Sequence, residues 1–180
     1  MQDIYLRQLA LLKDKPEVNT GFWDLFCERI RSNPALTRDE DPVDHFGSYC
    51  IPICKRTKRI YLGYHKKASF WLPPGGHINM HETPEQTAIR EFSEELEYTI
   101  IDENVELVNV ELSTINNPGH ACRIHYDFWY VVYLLQEVDF KFSTKEYYTA
   151  KWVTIYELLK HNTLPHYIPI YKNLSHILRK

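Results

Sequence analysis

Apolar residues recur at helical spacing twice before residue 32. Ile4, Leu6, Leu9 and Leu12 predict a helix over residues 3–14, and Phe22, Leu25, Phe26 and Ile30 a second over 20–31. The next stretch, SNPALTRDEDPVDHFG, is polar, holds two prolines and lacks periodicity, so it reads as a connector. From about residue 45 the pattern turns to short β-rich runs. Ser48–Cys54 and Arg59–Tyr64 predict a hairpin around the basic KRTK, and Phe70–Leu72 a short strand. Pro73, Pro74, Gly75 and Gly76 then place a rigid stop beside a flexible turn.

Thr83, Pro84 and Gln86 follow as N-cap, first helical residue and capping-box partner, predicting a helix over 84–96. Ala88, Phe92 and Leu96 form its apolar stripe, with Ile89 at the edge. Downstream, Val105–Leu112 and Ile124–Leu135 read as strands around an NNPG turn at residues 116–119. Shorter strands are expected near Val138–Phe142 and Lys151–Val153, then helices near Ile155–Leu159 and Ile168–Leu178. There is no internal repeat and no low-complexity tract.

Composition narrows the class. The 180 residues suit one core, and 44% hydrophobic with 25% charged residues is the balance of a globular protein. A net charge near -3 with both signs interspersed leaves no basic face for duplex nucleic acid. The N-terminal segment carries charges within its apolar part, unlike a secretory signal, and no apolar run approaches the roughly 20 residues that cross a bilayer. Cys27, Cys50, Cys54 and Cys122 form no CxxC pair and no zinc-like array, which fits a reducing, cytoplasmic setting without membrane attachment.

On the 84–96 helix, Glu91 lies three residues from Glu94 and four from Glu95, so three carboxylates are surface neighbours and repel. A run of glutamates alone is usually a solvated face. A hard divalent cation reverses the sign, because it prefers oxygen ligands. Here a Gly-Gly turn and Glu82 stand just ahead of the strongly capped helix.

Gly76, five residues, Glu82, seven residues, then Arg90, Glu91, Phe92, Ser93, Glu94, Glu95, Leu96, Glu97 and Tyr98 resemble the Nudix box, and PPGGHINMHETPEQTAIREFSEEL is particularly similar to MutT-type members. Every defining position but one is present. Glu97 stands where the family usually has a glycine in a left-handed conformation, and a side chain there costs about 1 kcal/mol.

HFGSYCIPI, HYDFWYVVYL and EYYTAKWVTIYEL extend the resemblance over most of residues 45–160, toward small bacterial members with an N-terminal helical extension. It implies an α/β/α sandwich around a mixed sheet, with residues 1–44 as a helical extension packed on a Nudix domain of residues 45–180. The extra helices would cover the substrate pocket or join two copies as a homodimer.

The implied activity is hydrolysis of the diphosphate linkage in a nucleoside diphosphate joined to another moiety, with Mg2+ as cofactor and Mn2+ as its alternative. By the same analogy Glu91, Glu94, Glu95 and the carbonyl of Gly75 hold the ion. Glu94 is the first candidate for general base and Glu146 the second. Glu82 and Arg90 would pair and orient the ligands. For the small nucleotide substrate, His77, His125 and Asp127 are candidate contacts, the last two sharing one face of a strand. Tyr64, Phe70, Trp71 and Trp129 could stack a base, although aromatics in strands are more often core. Isopentenyl diphosphate isomerisation would need a cysteine near the box, and none is there. A non-catalytic ligand sensor, in which such glutamates erode, is the other alternative.

Overall fold

The computed structural model describes residues 1–13, 15, 20–101, 104–115, 119, 121–160 and 167–179. In order it contains α1 (Gln2–Ala10), α2 (Thr20–Ser32), β1 (Asp44–Cys54), β2 (Arg59–His65), β3 (Trp71–Leu72), β4 (Gly75–His77), α3 (Pro84–Leu96), β5 (Val105–Thr114), β6 (Ile124–Leu134), β7 (Tyr147–Val153), α4 (Ile155–Lys160) and α5 (Ile168–Ile177). The strand order is β3-β2-β1-β6-β5, with β4 paired to β1 and β7 to β2. The chain forms two compact units, each assembled from three segments.

The first unit comprises Met1–Tyr49, Gly75–Ala88 and Leu107–Tyr130. Its aromatic core contains Tyr5 of α1, Phe26 of α2, Phe46 of β1 and Phe128 of β6, with edge-on rings such as Tyr5–Phe46 at 5.4 Å and Phe26–Phe128 at 5.7 Å. Gln8 extends this packing: it receives the Tyr130 hydroxyl at 3.0 Å and donates to Glu85 at 3.3 Å.

The connector is ordered by a buried arginine. Arg29, 7% exposed, donates to the Asp44 carboxylate at 3.0 Å, the Asp44 carbonyl at 2.7 Å and the Ala35 carbonyl at 2.8 Å. With the chain held there, β1 begins at Asp44, earlier than the expected Ser48, and takes in the fully buried His45 and Phe46.

Gly75–His77 is a strand rather than the expected turn, paired antiparallel with Gly47–Tyr49. Gly75 is glycine by necessity of close approach, since a Cβ there would lie 2.2 Å from the Tyr49 ring and 2.7 Å from the Ser48 carbonyl. Among the described residues no glycine has positive φ. The capping box forms as read: Gln86 N donates to Thr83 Oγ1 at 3.1 Å and Thr83 N to Gln86 Oε1 at 2.9 Å.

The second unit comprises Cys50–Pro74, Ile89–Glu106 and Val131–Lys180. Here β2 pairs antiparallel with β3 and with β7, in a register that sets Gly63 opposite Ala150 and His65 opposite Tyr147. The strand expected at Val138–Phe142 does not form. Instead Phe140 enters an aromatic cluster with Tyr61, Phe92, Tyr98 and Trp152, and Trp152 Nε1 donates to the Val138 carbonyl at 2.9 Å. Helix α3 stops at Leu96, and Glu97 takes the left-handed conformation at φ 47°. The NNPG turn expected at residues 116–119 lies outside the described residues apart from Gly119.

Candidate active site

All three glutamates of α3 belong to the second unit, where each has a neighbouring donor. Glu95 is 6% exposed, and its carboxylate accepts the hydroxyl of Tyr147 from β7. Arg90 stands beside the other two, 2.8 Å from Glu91 and 3.4 Å from Glu94. Glu94, its side chain 60% exposed, is the most open of the three. These donors offset the repulsion that i, i+3 and i, i+4 carboxylates otherwise suffer.

Tyr147 reports the local charge. Its hydroxyl is pushed well above the ordinary phenol range, first by burial and then by Glu95, Glu146 and Glu91. Glu146 therefore belongs to the same acidic neighbourhood, while its Oε2 also lies 3.3 Å from Lys67 Nζ and 3.5 Å from His65 Nε2. The Tyr147 ring occupies space that only a glycine at position 63 leaves open, since a Cβ on Gly63 would lie 2.1 Å from it.

Three oxygen-donor carboxylates within five residues, one of them fixed by a buried hydroxyl, make a donor set that suits a hard divalent cation. Tyr147 escaped the sequence reading because 52 positions separate it from Glu95. The expected strand covered only Lys151–Val153, short of Tyr147, and named no partner.

Other candidates fall in separate settings. On the second unit Tyr64 and Trp71 sit side by side at 5.6 Å, with Tyr148 6.2 Å from Tyr64 and Lys151 Nζ 4.9 Å over the Trp71 ring. Both rings are half-buried and Tyr148 is 66% exposed, so this cluster has accessible aromatic surface. Trp129, by contrast, is fully buried and stacked on Tyr49 at 4.6 Å, and serves as core.

In the first unit Glu82 receives the Thr87 hydroxyl at 2.7 Å and the Asn79 amide at 3.2 Å, bracing the loop ahead of α3. The expectation that Asp127 lines a pocket meets a fully enclosed side chain. Asp127 accepts Ser113 Oγ at 2.8 Å, and burial pushes its carboxyl up to about 7. His77 and His125 come together with His45 and Cys122, four ligand atoms within 4.8 Å of one another. Spacing along the chain hid this group, so the view that no cysteine joins a metal-type array is corrected for Cys122. Each of the four residues lies in or just before a strand, a signal too weak to pair them.

The family model for the NUDIX domain matches residues 44–174. The chain belongs to the NUDIX family. That membership makes it a pyrophosphohydrolase acting on phosphoric anhydride bonds, and the mixed sheet with flanking helices is the NUDIX α/β/α sandwich, here with α1 and α2 added.

Solved structures share this fold at low identity. A MutT protein from Methanosarcina mazei Go1 is 18% identical with a TM-score of 0.61, covering 75% of this chain and 95% of that one. A C. elegans Ap4A hydrolase binary complex is 19% identical with a TM-score of 0.63, covering 74% and 97%. The NUDIX domain of Shewanella oneidensis NrtR, complexed with ADP ribose, is 12% identical with a TM-score of 0.60, covering 76% and 89%. No curated protein matches the chain. Among the described residues no helix is long and apolar enough to cross a membrane.

Proposed function

We propose that this NUDIX protein uses Mg2+, or Mn2+ in its place, to hydrolyse the diphosphate linkage of a small nucleotide in which a nucleoside diphosphate is joined to another moiety. The observation that carries the reading is the carboxylate group of α3, in which Glu95 is held by Tyr147 and Glu91 and Glu94 flank Arg90. Glu91, Glu94 and Glu95 would hold the ion. A divalent ion bound there neutralises phosphate charge and lowers the pKa of a water.

The chain's own groups supply the rest. Tyr147 engages one oxygen of Glu95 and fixes its orientation, as hydrogen-bonded ligating carboxylates generally are. Arg90 keeps Glu91 and Glu94 from splaying apart. Glu94, the most exposed carboxylate, accepts the proton as water attacks phosphorus and the bridging P–O bond breaks, and Glu146 is the second candidate for that duty. Tyr64 and Trp71 offer half-buried ring surface for a nucleobase, and Lys151 above Trp71 adds positive charge suited to phosphate. Four buried, unbridged cysteines suit a reducing cytoplasmic compartment.

The test is a screen of nucleotide sugars, dinucleoside polyphosphates, nucleoside triphosphates and dinucleotide cofactors with Mg2+, reading phosphate released by a coupled phosphatase. Turnover of a compound containing a nucleoside diphosphate, abolished by EDTA, supports the reading. Tight binding of one such compound without turnover would overturn it in favour of a ligand sensor.

A further inference from the structure

The group at His45, His77, Cys122 and His125 lies entirely within the first unit and uses donors of a different kind from the α3 carboxylates. His45 comes from β1, His77 from β4 and His125 from β6, with Cys122 just ahead of β6. Sheet geometry gathers them. His77 is opposite Gly47 on β1, and the pleat puts His45 on the same face as Gly47 and His125 on the same face as Asp127. Gly47 and Asp127 are themselves adjacent, for a Cβ on Gly47 would lie 2.5 Å from Asp127 Oδ1.

The three rings are mutually close, at 4.8 Å for His45–His77, 4.8 Å for His45–His125 and 5.0 Å for His77–His125. Cys122 Sγ lies 3.9 Å from His77 Nε2.

A second observation points to a ligand. His45 is fully buried, and its Nδ1 faces the Asp41 carbonyl at 2.8 Å. Because a carbonyl only accepts, Nδ1 carries the ring proton, and Nε2 is left as an enclosed lone pair with no hydrogen-bond partner. An unmet buried acceptor is destabilising, and packing alone does not offset it. A metal on Nε2, with the far ring nitrogen bonded to a backbone carbonyl, is the arrangement in which histidine ligands are commonly oriented.

We propose that His45, His77, Cys122 and His125 bind a borderline-soft divalent ion of the zinc class, in a closed site separate from the hydrolytic carboxylates. Three imidazoles and one thiolate are a zinc donor set, and with four protein ligands no position remains for substrate, so the site is structural. Zinc bond lengths require donor atoms roughly 3.3–3.6 Å apart, so the side chains close by about 1 Å when the ion enters. The Arg38 contact to His77 Nδ1, 3.3 Å and exposed, yields as that nitrogen takes the proton. The ion joins β1, β4 and β6 with its lead-in, and so fixes the strand that carries Gly75 and Gly76. Mg2+ prefers oxygen ligands and does not compete. The proposal is independent of the substrate reading.

Untagged full-length protein, purified without chelator and dialysed against excess Mg2+, is analysed for metal and then titrated with Co2+ after zinc removal. The expected result is about one zinc per chain, and a cobalt form with intense tetrahedral visible bands and a near-ultraviolet thiolate-to-cobalt band. Cys122→Ser should lose the near-ultraviolet band and bind zinc at least about tenfold more weakly, whereas Glu91→Gln and Glu95→Gln should leave both unchanged. Substoichiometric zinc in the wild type, together with only the weak spectrum of six-coordinate cobalt, overturns the proposal, and this needs no variant to fold.

Discussion

Tyr147 of β7 donates its hydroxyl to Glu95 of α3, and both partners are buried. A ligating carboxylate with one oxygen fixed can turn only the other toward an ion. Tyr147→Phe keeps the ring that fills the space over Gly63 and removes only the donor. The expected outcome is an activation curve shifted about 10–100-fold toward higher Mg2+, with a thermal unfolding midpoint near wild type. An unchanged curve would separate Tyr147 from the metal.

Glu94→Gln and Glu95→Gln each remove a charge from the same helix face while keeping side-chain size. Turnover of whichever nucleotide the screen identifies should fall at least about 100-fold in each, with circular dichroism unchanged. Glu146→Gln decides the base. If Glu94 takes the proton, Glu146→Gln keeps kcat within a few-fold of wild type, and a fall as deep as that of Glu94→Gln transfers the duty to Glu146.

Glu97 holds a left-handed backbone at φ 47°. Glycine there relieves about 1–2 kcal/mol of steric strain but adds roughly 0.5–1 kcal/mol of unfolded-state entropy. Glu97→Gly should therefore raise unfolding stability by about 0.5–1 kcal/mol in a urea titration, and Glu97→Val should lower it.

Arg29 serves three carbonyls, of Asn33, Ala35 and Asp44, and the carboxylate of Asp44 from a 7% exposed position. Lysine cannot reproduce that fork. Arg29→Lys should cost about 2–3 kcal/mol, read as a lower urea midpoint with an unchanged slope. A loss under about 0.5 kcal/mol would mean that the connector is held by other contacts.

Glu40 accepts the hydroxyl and amide of Thr37 and the amide of Leu36, and these bonds, the hydroxyl first, hold its carboxyl below the usual range. A depressed folded value means that the contribution is present above the unfolded carboxylate value and fades as pH falls through the folded one. Glu40→Ala should thus unfold at a lower temperature than wild type at pH 7, and the gap should close below about pH 4. A gap independent of pH would show that charge has no part in it.

What was legible in the sequence was local. Helix α3 starts at the Thr83–Gln86 box and stops just before Glu97, as read, because caps depend on neighbours three or four residues away. The parts that were missed depend on distant pairing. β4 is a glycine run without strand propensity, and only its register against Gly47–Tyr49 makes it a strand. VDFKF alternates like a strand, but Phe140 gains more from four aromatic neighbours than from a ladder. The carboxylates could be read from one helix, whereas Tyr147 and the His45–Cys122 group required knowing which strands adjoin.

The bare Cα of Gly63 admits the ring that steadies Glu95. A single methyl group on β2 would push on that ring and, through it, on a carboxylate of another element. If the α3 carboxylates hold an ion as proposed, its affinity is open to adjustment from an uncharged strand position that never meets it, and selection or engineering could tune the enzyme there without altering a ligand.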